Sequence, residues 1–394
     1  AKALSWYWYL RGRLAEAVRC LDAALALHDD RMAQAWRLGF GLLKGDFGNA
    51  AHRRAAVFDG FDDPMAQWFV GFSGMETGDL EAHVALLERA HEQFQAVGDD
   101  WGVGAVNIAL AKNAHSLADP DELRRYAEAG ARAFARTGDR WGHLQADAWL
   151  GGLAELTGDL DEAHRLQLAG LQAAQELELW LDASGQLSWL GWIAHQRGDH
   201  ALAQQMCEPA LRMAKEQGSH AGEVFASIGL AFSARKAGNL DVAEPVLRRI
   251  ADDVDPAAEP PIYLPMILIE LGSLVNTRGD AVAAQGLHLA ALDAAIVHDA
   301  ARDIAYALEG LAAALASNDQ LTRAATLLGS AAAMRKSAGM PLAPGEATDV
   351  DRVSATVSAG LGASPAAAAI AEGADLTTAQ ARAVATGDLV RQGS

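Results

Sequence analysis

Cysteine is nearly missing from this chain: Cys20 and Cys207 are the only two in 394 residues, and no CxxC occurs. That excludes a disulfide framework and a cysteine-based zinc site, and it points to a reducing, cytoplasmic setting. Aromatics are scarce at 6% and prolines number only 11, which leaves room for long helices. Basic residues are outnumbered, 32 against 51 acidic ones, for a net charge of −19. A direct role on DNA or RNA is disfavoured, because such affinity rests on cations neutralising phosphates. No apolar run approaches the ~20 residues of a membrane-spanning helix. The opening AKALSWYWYL lacks the layout of a signal peptide. The first residue is Ala rather than Met, so the sequence reads as a piece of a longer one.

Catalytic signatures are missing as well. There is no GxxxxGKS/T phosphate loop, no HExxH and no GxSxG, and Gly102-Val103-Gly104 lacks the third glycine of a dinucleotide fingerprint. The twelve histidines are scattered singly; His195 and His200 are close but straddle a turn at Gly198. Metal sites need convergent ligands. The expectation is a protein that is not an enzyme, with no cofactor and no metal.

What the chain does have is a repeat. Gly-Asp or Gly-Asn turns recur at Gly45, Gly78, Gly158, Gly198, Gly238 and Gly279, mostly 40 residues or a multiple apart, with Ala118-Asp119-Pro120 in the vacant slot and Asn318-Asp319 continuing the series. A second series, Gly98, Gly138 and Gly218, falls between, with Leu179-Trp180-Leu181-Asp182 in its vacant slot. Two interleaved turn series with one period mean two helices per repeat. Glycine supplies the left-handed position that ends one helix, and the Asp after it caps the next. Apolar spacing between turns is helical, as in Trp189, Leu190 and Ile193. The reading is an all-α, right-handed superhelical solenoid of about nine helix pairs over residues 1–338. Residues 339–394 change texture at Met340-Pro341-Leu342-Ala343-Pro344-Gly345 and read as a C-terminal helical cap and tail.

Leu190-Gly191, Gly198-Asp199 and Ala203 carry the pattern of the tetratricopeptide repeat, as do Leu150-Gly151, Gly158-Asp159 and Ala163, and Leu271-Gly272, Gly279-Asp280 and Ala284. The ~40-residue period resembles the longer repeat of bacterial regulators similar to the maltose-regulon activator. Leu10-Arg11-Gly12-Arg13-Leu14, and Leu327 to Arg335 followed by Gly339-Met340-Pro341-Leu342, resemble the two ends of the repeat region in actinobacterial STAND-type transcriptional regulators of the LuxR-type or SARP-type. That resemblance implies a sensor arm behind an upstream ATPase module of the same polypeptide, with a protein, peptide or small-molecule inducer in its concave groove. A free-standing interaction scaffold is the alternative.

In such superhelices the first helix of each pair lines the concave face, so residues ten, six and three before each turn should point there. The candidates are Trp68 and Phe72 before Gly78, Lys112 and His115 before Ala118, Glu155 before Gly158, Trp192 and His195 before Gly198, and Arg235 before Gly238, with Phe225 thirteen before that glycine. Aromatic and charged members in one groove suit a peptide, a partner helix or a small ligand; packing between helices is the competing reading for each. Trp101, Trp141 and Trp180 repeat one phase and read as inter-repeat core. On this reading Trp192→Ala should weaken binding more than folding, and Trp141→Ala the reverse.

Overall fold

The computed structural model describes residues 2–75, 79–256 and 258–388. After a short 3-10 turn, α1 (Ser5–Leu10) pairs with α2 (Leu14–Leu25), α3 (Arg31–Leu43) with α4 (Ala50–Phe58), α5 (Pro64–Ser73) with α6 (Leu80–Val97), α7 (Asp100–Leu117) with α8 (Pro120–Thr137), and α9 (Arg140–Leu156) with α10 (Leu160–Glu176). The series continues with α11 (Trp180–Gln196) and α12 (His200–Gln217), α13 (His220–Lys236) and α14 (Leu240–Asp252), α15 (Leu264–Thr277) and α16 (Ala281–Val297), and α17 (Ala301–Ser317) and α18 (Leu321–Ser337). Then come α19 (Pro344–Leu361), α20 (Ala363–Ala374) and α21 (Thr378–Thr386). The architecture is an all-α solenoid of tetratricopeptide-like helix pairs, and no helix among the described residues is long and apolar enough to cross a membrane.

The junctions follow from the turn chemistry. Gly98 ends α6 in the left-handed region (φ 72°), and the Asp99 carboxylate accepts from the Gly102 N–H at 3.0 Å to start α7. Gly138 and Asp139, and Gly218 and Ser219, repeat the device. In the slots without glycine, Ala118 (φ 58°) and Glu178 (φ 55°) adopt the same conformation at a cost of roughly 1–2 kcal/mol each. The turn assigned to Gly78 lies outside the described residues.

One register of the outer helices wedges the repeats together. Leu87, Ala127, Gln167, Cys207, Leu247 and His288 recur at steps of 40 or 41 residues and are all fully buried. Where Leu87, Gln167, Cys207 and His288 press on the inner helix, that helix carries Gly71, Gly151, Gly191 and Gly272. Ala111 and Ala231 hold the inner register in the two remaining repeats. A Cβ at Gly191 would sit 2.4 Å from the Cys207 Sγ. Gly191→Ala is therefore expected to lose about 1–3 kcal/mol from overpacking. Gly191→Ala combined with Cys207→Ala should recover most of it, because Ala111 with Ala127 is that pairing eighty residues earlier. Urea midpoints of the three proteins check this; a double variant no more stable than the single one refutes the wedge.

The inner side is filled at two places. Helix α1 drops onto α5, α7 and α9, with the Trp6 ring 5.7 Å from Trp68, 5.4 Å from Trp101 and 4.9 Å from Trp141. Just past it, Arg11 donates to the Leu177 carbonyl at 3.1 Å and pairs with Glu178 at 2.8 Å, tying the start of the chain to the α10–α11 turn. At the other end α19 turns inward against α11, α17 and α18. Its Gly345 lies so close to the end of α11 that a Cβ would be 2.3 Å from the His195 carbonyl oxygen. Lys236 holds Asp349 of α19 at 2.7 Å. Helix α20 packs on α18, where the backbones meet at Gly329 and Gly373, and α21 lies on α16, α17 and α18. The tail thus contributes one inward helix in addition to helices against the last repeats.

Candidate functional site

Beside α1 the superhelix bounds a cavity of about 340 Å³, the lower part of the range of small-ligand sites. Its floor comes from successive inner helices. Phe72 is on α5, Lys112 and His115 on α7, Trp149 on α9, Trp189 and Trp192 on α11, Phe225 on α13, and Arg302 and Asp303 on α17. Tyr9 of α1 closes one side and Tyr263 another. The rings form a continuous wall: His115 to Trp149 is 5.7 Å, Trp149 to Trp189 6.2 Å, and Trp189 to Phe225 5.5 Å between centroids. Trp149, Trp189 and Phe225 are only half-buried, so their faces are open to an occupant.

Beside this wall lies a buried ionic network. Glu155 Oε1 accepts from the Trp192 indole N–H at 2.8 Å and from the Gln196 amide at 2.6 Å, and Oε2 accepts from His115 at 3.1 Å. Burial alone would raise the Glu155 pKa, but the hydrogen bond from His115 and the charge of Arg302 outweigh it and hold the carboxyl at about 2. Burial pushes the His115 pKa down despite Glu155, so the ring is neutral near pH 7 and serves as an Nε2–H donor. Burial raises Asp182 to about 7, against an opposing hydrogen bond from Gln145, and Asp303 to about 6, against Arg302 and His298. Both carboxyls line the cavity, which therefore gains negative charge as pH rises through 6 to 7.

A second cavity of about 100 Å³ lies under α19, bordered by Trp192, His195, Phe232, Arg235 and Asp349. Here Arg235 is committed: it donates to both oxygens of Glu270, one at 2.9 Å, and reaches Asp349 at 3.4 Å.

The residues expected in the groove thus divide. Phe72, Lys112, His115, Trp192 and Phe225 line the central cavity; His195 and Arg235 line the second with Trp192; Glu155 borders a third, beside Pro341, of about 100 Å³. Trp68 does not face a groove. It is fully buried, because α1 packs over it and places it among Trp6, Phe72, Trp101 and Trp141. Trp192 is also buried, at 5% exposure, and its indole N–H is occupied by Glu155. Of the expected core trio, Trp141 is buried and Trp101 packs beside it, but Trp180 is 39% exposed at the start of α11, where no α1-like helix covers it. Pattern reading missed Trp149, Trp189, Arg302 and Asp303. Trp149 and Trp189 each stand nine, not ten, residues before Gly158 and Gly198. Arg302 and Asp303 occupy the first turn of their helix, which counting back from its end does not reach. Among the described residues no group of three His, Cys, Asp or Glu side chains converges as a metal site.

No family model and no curated protein matches the sequence. Solved structures do. The chain is similar to a Rap protein complexed with competence and sporulation factor, at TM-score 0.59 and 12% identity, over 86% of this chain and 97% of that one. It is similar to NprR in complex with its cognate peptide NprX, at TM-score 0.53 and 14% identity, over 78% and 87%. A STAND protein with a tetratricopeptide repeat sensor, PH0952 from Pyrococcus horikoshii, aligns at TM-score 0.44 and 15% identity, over 80% of this chain and 50% of that one. At these identities the first two show a shared fold.

Proposed function

We propose that this chain is the ligand-sensing repeat region of a regulator and takes a peptide or a short protein segment in its central cavity. The observation that carries the reading is the half-buried wall of Trp149, Trp189 and Phe225 beside buried charge in one bounded chamber. Such a surface offers apolar faces for side chains and polar groups that fix orientation. That Rap and NprR, which share the fold, were solved with competence and sporulation factor and with a cognate peptide respectively supports the same use here. The resemblance of the two ends of the repeat region to STAND-type regulators supports an ATPase module upstream; a native reading frame without a nucleotide-binding module before Ala1 overturns that part.

Titration with a mixed hexapeptide pool, followed by tryptophan fluorescence and thermal shift, tests the binding reading. Trp189→Ala is expected to weaken binding by about 2 kcal/mol, roughly 30-fold, as for a central aromatic anchor. Its stability loss should be only about 1–2 kcal/mol, since the ring is half-buried. No response of the wild type to any peptide sinks the proposal.

A further inference from the structure

The central cavity contains a guanidinium with idle donors. The Arg302 side chain is 11% exposed, and its Nε and Nη1 have no hydrogen-bond partner among the described residues. The nearby Glu155 Oε2 is 3.6 Å from Nη1, past hydrogen-bond reach. Glu155 is not free to swing closer, because Trp192, Gln196 and His115 already hold both its oxygens. A guanidinium keeps its proton at any ordinary pH, and a buried one with unused N–H groups is unfavourable until an acceptor arrives. The next residue supplies the opposite need. Asp303 is 4% exposed, and its buried Oδ1 lacks a hydrogen-bond donor among the described residues. Both side chains line the central cavity, and Arg302 also borders the smaller one that Glu155 lines.

One occupant of the central cavity that carries both an acceptor and a donor meets the two needs together, once these side chains, whose idle atoms are covered by their neighbours, turn toward it. In a peptide's last residue the carboxylate and the amide N–H flank a single Cα, so one residue meets both needs. An internal Asp or Glu can also pair a carboxylate with its own N–H, but through one or two more rotatable bonds, so the terminal residue presents the two groups with the least freedom to lose. A phosphate would satisfy Arg302 but offers Asp303 no N–H, and its double charge would face Glu155, Asp182 and Asp303.

We propose that the cavity binds a peptide by its free C-terminus, with the carboxylate on Arg302, the last backbone N–H on Asp303, and apolar side chains against Trp149, Trp189 and Phe225. This rests on the peptide-binding reading above and names the end of the ligand that is recognised.

The test is affinity selection with two random hexapeptide pools, identical except that one ends in free carboxylates and the other in carboxamides. The wild type should retain the acid pool roughly tenfold to hundredfold more tightly, the worth of a charge-assisted hydrogen bond. Arg302→Gln should bind both pools weakly and alike. Equal retention of both pools by the wild type overturns this proposal while leaving the peptide reading standing. Retention of neither pool overturns both. An Arg302→Gln protein that still prefers acids moves the anchor elsewhere and overturns the assignment. Should that variant fail to fold, hydrogen exchange on the wild type decides: the bound acid pool must protect the first turns of α17, and unchanged exchange there overturns the proposal.

Discussion

Trp141→Ala is expected to remove about 3–5 kcal/mol of stability, the cost of truncating a fully packed aromatic, and to release the start of the chain. Trp141 is 5% exposed in the first turn of α9. Its ring stands 4.9 Å from Trp6, 6.0 Å from Trp101, 6.1 Å from Phe134 and 6.3 Å from Tyr9. Its indole N–H is buried and has no hydrogen-bond partner among the described residues, so the side chain contributes through packing alone. Two of these four rings belong to α1, so the deletion empties the seat on which α1 rests. Urea unfolding should show the lower midpoint, and limited proteolysis should cleave within residues 1–30 at protease levels the wild type survives. The variant to compare is Trp189→Ala rather than Trp192→Ala. Trp192 is as buried as Trp141 and also donates to Glu155, so its loss opens a void and strips a buried carboxylate of one donor. If Trp189→Ala and Trp141→Ala lower the melting temperature equally, the division into wall and core fails.

The contrast shows where the sequence is legible. Turns are local chemistry: a left-handed glycine and the Asp behind it are written next to each other, so the period, the helix pairs and most junctions can be read directly. The inner register is also periodic, which is why Phe72, Lys112, His115, Trp192 and Phe225 all reach the cavity. What periodicity cannot carry is a contact between distant turns of the superhelix. Trp68 has the right register for the groove and is buried only because α1, some sixty residues earlier in the chain, folds back over it. Likewise Arg235 has the right register, but α19 arrives from 114 residues away and brings Asp349 to it. Arg302 is invisible for another reason. Its interest lies in N–H groups without a hydrogen-bond partner among the described residues, and nothing in a sequence says which carboxylates are already engaged.

Acid should begin to weaken the protein well before its carboxylates protonate in the ordinary way. Burial, the leading cause in each case, lowers the pKa of His195 and His288 to about 3 and that of His83 to about 4. His195 faces His200, Lys236 and Arg235, whose charges act in the same direction against the weaker pull of Asp349; His288 feels Arg235. An unfolded histidine binds its proton near pH 6.5. Between there and about pH 4 the unfolded chain holds protons that the folded chain refuses, so stability falls as pH falls, by about 1.4 kcal/mol per pH unit for each histidine. Two cavity carboxyls oppose this. Asp182 (about 7) and Asp303 (about 6) take up protons in the folded state before they do in the unfolded one, and their contribution rises on acidification at the same rate. His91, His115 and His200, also lowered by burial, add to the histidine side, and Asp147 and Glu346, also raised by burial, add to the carboxyl side, so six histidines against four carboxyls leave a net loss of stability below pH 6. Below about pH 4.5 Glu155 joins: held at about 2 when folded, it stabilises only while ionised in both states, and that contribution drains away toward pH 2. Melts at pH 8, 6, 5 and 4 should therefore show a decline that begins near pH 6.5 and steepens below 4.5. His288→Asn should flatten the upper part by about 1.4 kcal/mol per pH unit, whereas Asp182→Asn should steepen it by as much. A melting temperature that stays level from pH 7 to pH 5 in the wild type and in both variants would show that these buried groups titrate as they do in water.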